Sequence, residues 1–442
     1  MSAPEALAAE LDAILAAAQA ERRLPSVSAA AVRDGEVLWS RALGLADAER
    51  GETATPQHAY RIGSITKTFT AVCVMQLRDA GLVELDAPLS EYVPEAAAGP
   101  TVRQALAHLS GLQREPAGDI WETLRPPSRE ELLASLPEVE HVLAAGERWH
   151  YSNLAFALLG ELVARLRQAS FREVLQERVL APLGLARTSF EPSAPAARGY
   201  LVDPYSDAVW PEPDVAMSDS TAALGQLWST AADLCAWGDF LAAGRDGVLA
   251  RRTLDEMTRV QTMVDHEGWT LAWGLGIELY RRGNRLFAGH GGAMPGFLAG
   301  LAIDRRERTG AAVLASASTN ARAEELALDL ACAALDALPR EPAEWRPDGG
   351  PPAEVEPLLG RWWSEGSELV FSYREGRLRA ELVGGPPGRS LSWLAPDGPD
   401  RYRVVEGREQ GELLRVVRDE HGEVVKLYFA TYPMTREPRT FG

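Results

Sequence analysis

The stretch that decides the fold of this chain is RIGSITKTFTAVCVMQL, residues 61–77, in which Lys67 is the one charged residue after Arg61. The chain uses lysine only twice, at Lys67 and Lys426, although it carries 45 basic residues. Arginine serves a salt bridge as well as lysine does, so a purely structural cation here would most often have been an arginine. We therefore expect Lys67 to do something that arginine cannot.

Ser64 and Lys67 are three residues apart, so on a helix they lie on one face about one turn apart. The apolar residues from Ile65 to Leu77 predict a buried helix, and burial of an ammonium group favours its neutral form, which can accept a proton. The guanidinium of arginine stays protonated and cannot act in this way. Two ordinary alternatives stay open: Ser64 as a helix N-cap, and Lys67 as a cation that reaches the surface or pairs with an acid.

Two further stretches supply groups suited to acyl transfer. HYSNLAF contains Tyr151 and Asn153 immediately before a helical pattern, and AGHGGAMPGF contains His290, Gly291 and Gly292 on a predicted strand. A phenol and an imidazole are groups that commonly move protons in enzymes. The question is whether these stretches and Ser64 belong to one site.

The three motifs, S-x-x-K at Ser64, Y-x-N at Tyr151 and H-x-G at His290, occur in an order found in a known family. The chain resembles the serine β-lactamase and penicillin-binding-protein hydrolases, most closely the branch related to class C β-lactamases. In that family the third motif is K-T-G in true β-lactamases and often H-x-G or W-x-G in related esterases and peptidases. HLSGL, LAPLGLARTSF and LWSTAADL also resemble the family, so the similarity covers about residues 26–318.

The resemblance implies a role for each motif residue. Ser64 would be the nucleophile that forms an acyl-enzyme. Lys67 and Tyr151 would share the proton transfer, and the sequence leaves open which is the formal base. Asn153 would orient Lys67 or donate to a substrate carbonyl, with a helix N-cap as the alternative. The backbone N–H groups of Ser64 and Ala293 would form the oxyanion hole.

The third motif departs from the β-lactamase pattern. Gly291 and Gly292 would let the strand approach the substrate, or would mark a bulge. His290 replaces a lysine that in the family helps to bind the carboxylate of β-lactams or peptides, and a mostly neutral imidazole predicts weaker binding of such anions. His108 and His150 lie next to motifs but lack the spacing of metal ligands, so we expect structural or surface roles for them and predict no metal site.

Composition limits the possible partners. The net charge is −18, and residues 351–442 carry 13 basic against 15 acidic residues, so nearly all of the excess lies in the first 350 residues. This balance predicts no nucleic-acid binding and no binding to anionic membranes. The three cysteines are far apart and form neither a disulfide framework nor a zinc motif. The N-terminus does not read as a signal peptide, and we expect a soluble cytoplasmic protein without a cofactor.

The pattern of elements predicts an α+β fold. A helix from about residue 3, a hairpin with its turn at Asp34-Gly35, a helical middle and a return to strands near residue 270 predict one antiparallel sheet flanked by helices, with an all-α subregion, like that of β-lactamases and transpeptidases. We assign residues 1–340 to this hydrolase domain, 341–356 to a linker rich in proline and glycine, and 357–442 to a small all-β, barrel-like domain resembling lipocalins.

The leading interpretation is a serine hydrolase or acyltransferase that acts on small-molecule or peptide esters or amides, including peptides that contain D-amino acids. One alternative is a thioesterase of the penicillin-binding-protein type that releases and cyclises nonribosomal peptides, with a peptidyl carrier protein as partner. Others are a β-lactamase or DD-peptidase, and a catalytically silent ligand-binding protein, because fold does not fix function.

Overall fold

The computed structural model describes residues 3–96, 99–216, 218–341, 344–347, 349–386 and 388–438. The chain forms two compact units, residues 1–340 and residues 341–442. Hydrophobic side chains form two core clusters within the first unit and one within the second. Each unit therefore has its own hydrophobic interior.

Strands from both ends of the first unit meet in one sheet. The strands of this unit are β1 Ser26–Arg33, β2 Glu36–Asp47, β3 Glu52–Thr53, β4 Tyr60–Arg61, β5 Tyr200–Val202, β6 Val209–Pro211, β7 Trp228–Ser229, β8 Thr262–Met263, β9 Leu271–Trp273, β10 Glu278–Arg282, β11 Arg285–Met294, β12 Phe297–Asp304 and β13 Thr309–Ala315. Nine of them form an antiparallel sheet in the order β3-β2-β1-β13-β12-β11-β10-β9-β8. Strand β1 pairs with β13, with Val27 opposite Ala315. The predicted sheet, built from the two ends of the domain, is confirmed.

Helices cover both faces of this sheet. They are α1 Ala3–Glu21, α2 Thr66–Asp79, α3 Val102–Leu106, α4 Ile120–Thr123, α5 Arg129–Ser135, α6 Asn153–Arg167, α7 Phe171–Leu175, α8 Ala181–Leu183, α9 Ala222–Gly225, α10 Ala231–Ala243, α11 Arg251–Met257 and α12 Ala323–Ala337. Successive side chains of a strand point to opposite faces. Accordingly, Ala311 and Val313 of β13 pack with α1 and α12, whereas Ala312 and Leu314 join the core of α2, α6 and α10.

Helix α2 is the most deeply buried helix near the motifs. Phe69 stacks on Trp237 of α10 with ring centroids 3.7 Å apart, and Trp237 Nε1 donates to Thr68 Oγ1 at 2.8 Å. Thr70 Oγ1 donates to the carbonyl oxygen of Ala223 at 2.6 Å. Because the hydroxyl groups on α2 find acceptors inside the protein, the helix is held in one position, and the position of Lys67 is fixed with it.

None of the helices in the described ranges is long and apolar enough to cross a membrane.

The predicted hairpin is present in the structure. Its turn residues Asp34 and Gly35 both have positive φ angles, 52° and 86°. Positive φ at both central residues is what a tight two-residue hairpin turn requires. The hairpin prediction is confirmed.

The second unit is an eight-stranded antiparallel meander. Its strands are β14 Gly360–Ser364, β15 Ser367–Arg374, β16 Arg377–Leu382, β17 Leu391–Pro396, β18 Arg401–Gly407, β19 Leu413–Arg418, β20 Val424–Phe429 and β21 Tyr432–Met434. The first and last strands meet where Trp363 pairs with Thr435, which nearly closes a barrel. Within residues 341–355, the described positions form neither a helix nor a strand; Pro342, Ala343 and Asp348 of the predicted linker lie outside the described residues.

Candidate active site

Ser64 lies in a 3-10 turn, Gly63–Ile65, that runs directly into α2. Gly63 has a φ of +51°, and a Cβ on it would lie 2.5 Å from the backbone nitrogen of Ala293. Glycine is therefore needed for this turn to approach β11. The N-cap position of α2 is Ile65, and no side chain caps the helix. The alternative in which Ser64 is only an N-cap is wrong.

Lys67 is completely buried in the first turn of α2. Its Nζ lies 3.1 Å from Ser64 Oγ and donates to the carbonyl oxygen of Leu224 at 2.6 Å. Burial lowers the pKa of Lys67 to about 7, and the negative charge of Glu115 opposes part of that change. Near neutral pH, a large share of the Lys67 side chains is therefore uncharged and able to accept the proton of Ser64.

Tyr151 is the second titratable group at Ser64. Its hydroxyl group hydrogen-bonds with Ser64, and its ring centroid lies 5.0 Å from Lys67 Nζ. The buried ring of His108 stacks on the ring of Tyr151, with centroids 4.2 Å apart, and His108 Nδ1 accepts from the N–H of Ser152 at 3.0 Å. Burial raises the pKa of Tyr151 well above its usual value, so the side chain is a neutral phenol.

Asn153 makes no hydrogen bond with Lys67 in the part of the chain that the structure describes. Its Nδ2 donates to Glu115 Oε1 at 2.7 Å, and its Oδ1 is buried without a partner among the described residues. Ser152 caps α6, because its Oγ accepts from the N–H of Ala155 at 3.1 Å. The N-cap alternative for Asn153 is wrong, and its amide group contacts Glu115, whose negative charge raises the pKa of Lys67.

Each of the two glycines in the third motif has a contact that excludes a side chain. A Cβ on Gly292 would lie 1.9 Å from the carbonyl oxygen of Ile62, and a Cβ on Gly291 would lie 1.3 Å from Glu324 Oε1. Strand β11 pairs with β12 without a register shift from Ala288 to Met294, so the alternative of a bulge is wrong. Gly292 lets β11 approach the turn that carries Ser64, and Gly291 leaves room for the side chain of Glu324.

His290 is buried and neutral. Its Nδ1 is within hydrogen-bonding distance of the carbonyl oxygen of Gly291 and donates to it, so Nε2 carries the lone pair. Nε2 has no partner among the described residues. Burial, together with the charge of Lys67, lowers the pKa of His290 to about 3. At ordinary pH this imidazole is therefore an acceptor, and it does not supply the positive charge of the lysine that it replaces.

Two carboxyl groups near the third motif were not predicted from the sequence. Glu278, on β10, accepts from the N–H of Gly291 at 3.3 Å and from the hydroxyl group of Tyr280, and burial raises its pKa to about 7. Glu324, in the first turn of α12, is exposed at the rim, but the protein around its carboxyl group and the nearby Glu278 raise its pKa to about 7. Glu278 pairs with Gly289, next to His290. The two-residue turn Gly283-Asn284 sets that register, and Gly-Asn between two strand patterns is a hairpin signal that the sequence contains.

The backbone N–H groups expected to form an oxyanion hole lie near each other. The N–H of Gly291 points away from β12 and towards Glu278. Because N–H directions alternate along an antiparallel strand, the N–H of Ala293 points to the same side. A Cβ on Gly292 would lie 3.3 Å from Ser64 N, which shows how closely β11 approaches the nucleophile turn.

A cleft of about 480 Å³ joins these groups, with Ser64, Tyr151, His290, Gly291 and Glu324 in its walls. Among the described residues, no group of three or more histidine, cysteine, aspartate or glutamate side chains is arranged to hold a metal ion. The cleft therefore brings together residues of all three sequence motifs. Lys67 and Asn153 are not in its wall: Lys67 contacts Ser64, and Asn153 contacts Glu115.

Comparison with known proteins agrees with this geometry. The family described as Beta-lactamase matches residues 11–335, which is most of the chain. The chain belongs to the Beta-lactamase family. It has the fold of β-lactamases and transpeptidases, as the motifs predicted. Residues 351–436 match a second family, described as Domain of unknown function (DUF7586).

Relatives of this Beta-lactamase family member include enzymes with different names. Beta-lactamase-like protein 2 of Dictyostelium discoideum is 30% identical over 56% of this chain and 48% of its own length. Esterase EstB of Burkholderia gladioli is 34% identical over 47% of this chain and 56% of its own length. The D-aminopeptidase of Brucella melitensis is 25% identical over 97% of this chain and 80% of its own length. The chain spans about half the length of the first two relatives.

Two solved structures resemble this Beta-lactamase family member. The structure of SurE superposes with a TM-score of 0.65 and 25% identity, covering 99% of this chain and 100% of SurE. A D-stereospecific amidohydrolase from Streptomyces sp. superposes with a TM-score of 0.60 and 25% identity, covering 70% of this chain and 94% of the other. Full coverage by SurE includes the second, all-β unit, whereas the amidohydrolase matches a shorter part of the chain.

Proposed function

We propose that Ser64 is the nucleophile of an acyl-transfer reaction on esters or amides. The observation that carries this proposal is the arrangement of the Ser64 hydroxyl group between Lys67 Nζ, at 3.1 Å, and the phenol of Tyr151. A serine hydroxyl is a weak nucleophile until an adjacent base removes its proton. A lysine whose pKa burial lowers to about 7 can be that base at neutral pH.

The path of the proton during the reaction follows from the positions of these groups. Neutral Lys67 takes the proton of Ser64 as Oγ bonds to the substrate carbonyl carbon. The phenol of Tyr151 then donates its proton to the leaving oxygen or nitrogen, the bond to the leaving group breaks, and Lys67 restores the proton of Tyr151. Water or an amine repeats the same exchange on the acyl-enzyme and frees Ser64. Because the pKa of Tyr151 is raised, Lys67 is the better candidate for the base and Tyr151 for the acid.

The negative charge that develops on the substrate carbonyl oxygen is stabilised by the backbone N–H groups of Ser64 and Ala293. Backbone donors fixed on a strand and a turn need no reorganisation during the reaction. Gly63 and Gly292 support this arrangement, because a side chain at either position would push the turn and β11 apart.

The substrate class that we propose is an uncharged or amine-bearing ester or amide, including amides of D-amino acids. Relatives named as an esterase and as a D-aminopeptidase support this range. The neutral His290 and the carboxyl groups of Glu278 and Glu324 disfavour a substrate carboxylate near the third motif. A β-lactamase or DD-peptidase activity is correspondingly disfavoured.

The test is a substrate panel with mass detection. Full-length protein is incubated with para-nitrophenyl esters of short acids and with D- and L-amino-acid amides, and the intact mass is recorded during turnover. We expect an acyl adduct that maps to Ser64 and is absent from Ser64→Ala. Turnover that persists in Ser64→Ala would contradict the role of Ser64, and failure to process any ester or amide would contradict the substrate class.

A second candidate is the release or cyclisation of peptides from thioesters, with a peptidyl carrier protein as partner. It is favoured by the order of the two units, a hydrolase unit followed by an eight-stranded β unit. The resemblance to such thioesterases rests on this same order of domains. A peptide thioester with a free N-terminal amine distinguishes the two. Cyclic product would support the thioesterase, and linear acid alone would support the hydrolase.

A further inference from the structure

The part of the cleft around Gly291 is lined by hydrogen-bond acceptors. Glu278 reaches Gly291 from β10, with Oε2 3.3 Å from its backbone nitrogen. Glu324 reaches it from α12, so closely that a Cβ on Gly291 would overlap Glu324 Oε1. Both carboxyl groups therefore contact one residue, and they belong to the same cleft as Ser64.

His290 adds an independent sign that a ligand binds here. Its side chain is 2% exposed, forms part of the same cleft wall and has Nδ1 4.0 Å from Glu278 Oε1. With Nδ1–H donating to Gly291, Nε2 is a lone-pair acceptor, and it has no donor among the described residues. A buried polar atom in a native protein normally has a partner. His290 Nε2 is therefore free to accept a hydrogen bond from a donor that enters the cleft.

The protein supplies little positive charge to this part of the cleft. Among the described residues, Arg322 is the one arginine in the wall, and its Nε is 2.5 Å from Glu325, with which it forms an ion pair. Lys67 Nζ is directed to Ser64 and to a backbone carbonyl group. In the described part of the chain, Glu278 and Glu324 form no ion pair with a lysine or arginine.

We propose that Glu278, Glu324 and His290 form a subsite for a protonated amine carried by the substrate. An ammonium group has three N–H donors and no acceptor, which complements two carboxylates and an imidazole lone pair. This inference rests on the proposed function, because it places the amine within the cleft in which Ser64 is acylated. It assigns to Glu278 and Glu324 a role in specificity.

Gly291 gives the subsite access to the nucleophile. Glu324 lies on the side of β11 that faces α12, and Gly292, the next residue, faces Ile62 and Ser64. The wall of the cleft includes Ser64, on the side of β11 that Gly292 faces, and Glu324, on the side of α12. The amine can be carried by the acyl half of the substrate, as in an amino-acid amide, or by the leaving half, as in an amide of a diamine.

The experiment compares matched substrates that differ only in the amine. For the acyl half, alanine para-nitroanilide is compared with propanoyl para-nitroanilide. For the leaving half, N-acetylcadaverine is compared with N-pentylacetamide. The ratio of kcat/KM for the amine substrate to that for its uncharged partner is measured for the full-length protein, for Glu324→Gln, and for Asp336→Asn, which removes one charge at the other end of α12.

We expect the wild-type protein to prefer the amine substrate in at least one pair by about tenfold or more, as a charge-assisted hydrogen bond would give. Glu324→Gln should lose most of that preference, whereas Asp336→Asn should keep it. The pair that shows the effect identifies the half of the substrate that carries the amine. Equal rates within both pairs, or a preference that Glu324→Gln leaves intact, would overturn the subsite. Turnover of the uncharged substrates reports on the proposed function separately.

Discussion

The two sides of β11 carry titratable groups of opposite kind, a lysine on one side and two glutamates on the other. On the side of Ser64, burial lowers the pKa of a cationic group, Lys67, to about 7. On the side of α12, the pKa of two acidic groups is raised to about 7. Burial raises the pKa of Glu278, and the protein around its carboxyl group together with the nearby Glu278 raises the pKa of Glu324. Burial favours the neutral form in both cases, because a charge is poorly solvated inside the protein. The same physical effect thus provides a base on one side and, on the other, carboxyl groups that a bound cation would return to their charged form.

The largest expected effect comes from Lys67→Arg, which keeps the positive charge on the Ser64 side but removes the group that can be neutral. We expect kcat/KM for a para-nitrophenyl ester to fall by about 10³-fold, within the range typical of a lost general base. The matched control is Lys426→Arg, which changes the other lysine of the chain, on β20 of the second unit. A Lys67→Arg enzyme with more than a tenth of wild-type activity would contradict the role of Lys67.

The two glycines test the two sides of β11 separately. In Gly292→Ala, the added Cβ meets the backbone oxygen of Ile62, which cannot move without displacing the turn of Ser64. We expect kcat/KM for an uncharged ester to fall by about 10²-fold. In Gly291→Ala, the Cβ meets the end of the Glu324 side chain, which can rotate, so the loss should be smaller.

Thermal unfolding of both glycine variants serves as the control for folding. If Gly291→Ala lost as much activity on the uncharged ester as Gly292→Ala, although both variants were folded, the two sides of the strand would not differ as described.

The pH dependence tests the Ser64 side without any mutation. Since the pKa of Lys67 is lowered to about 7, the neutral lysine is scarce below that pH and abundant above it. We expect kcat/KM for an uncharged ester to rise by about tenfold per pH unit below 7 and to level off above it. A profile that is flat through neutral pH would show that another group sets the rate.

The smallest effect is expected from Glu115→Gln. The negative charge of Glu115 raises the pKa of Lys67, against the stronger effect of burial. Removing the charge should shift the midpoint of the kcat/KM profile to lower pH, while the glutamine can still accept from Asn153 Nδ2. A midpoint that moves to higher pH would contradict this assignment.

The sequence predicted the parts of the site that depend on local spacing. The three-residue spacing of Ser64 and Lys67 at the start of a buried helix was sufficient to place both groups together, and Tyr151 and His290 were recognised from short motifs. The hairpin at Asp34-Gly35 and the meeting of terminal strands in one sheet also followed from turn and alternation patterns. These features are local, or depend on patterns that repeat along the chain.

The sequence did not reveal contacts between distant segments. Glu324 follows His290 by more than thirty residues and reaches Gly291 only because α12 packs across β12 and β13. Glu115 is brought to Asn153 by a loop without a recognisable pattern. The contact of Gly291 with Glu324 depends on side-chain packing, which strand and helix patterns do not specify.

The central claim is that burial makes Lys67 lose its proton near neutral pH. Because the chain has only two lysines, isotope labelling of lysine Cε gives two NMR signals, and Lys426→Arg assigns them. The pH titration of the Lys67 signal then measures its pKa directly. We predict a midpoint near 7. A Lys67 signal that stays in its charged form up to the usual lysine pKa of about 10.4 would contradict the account.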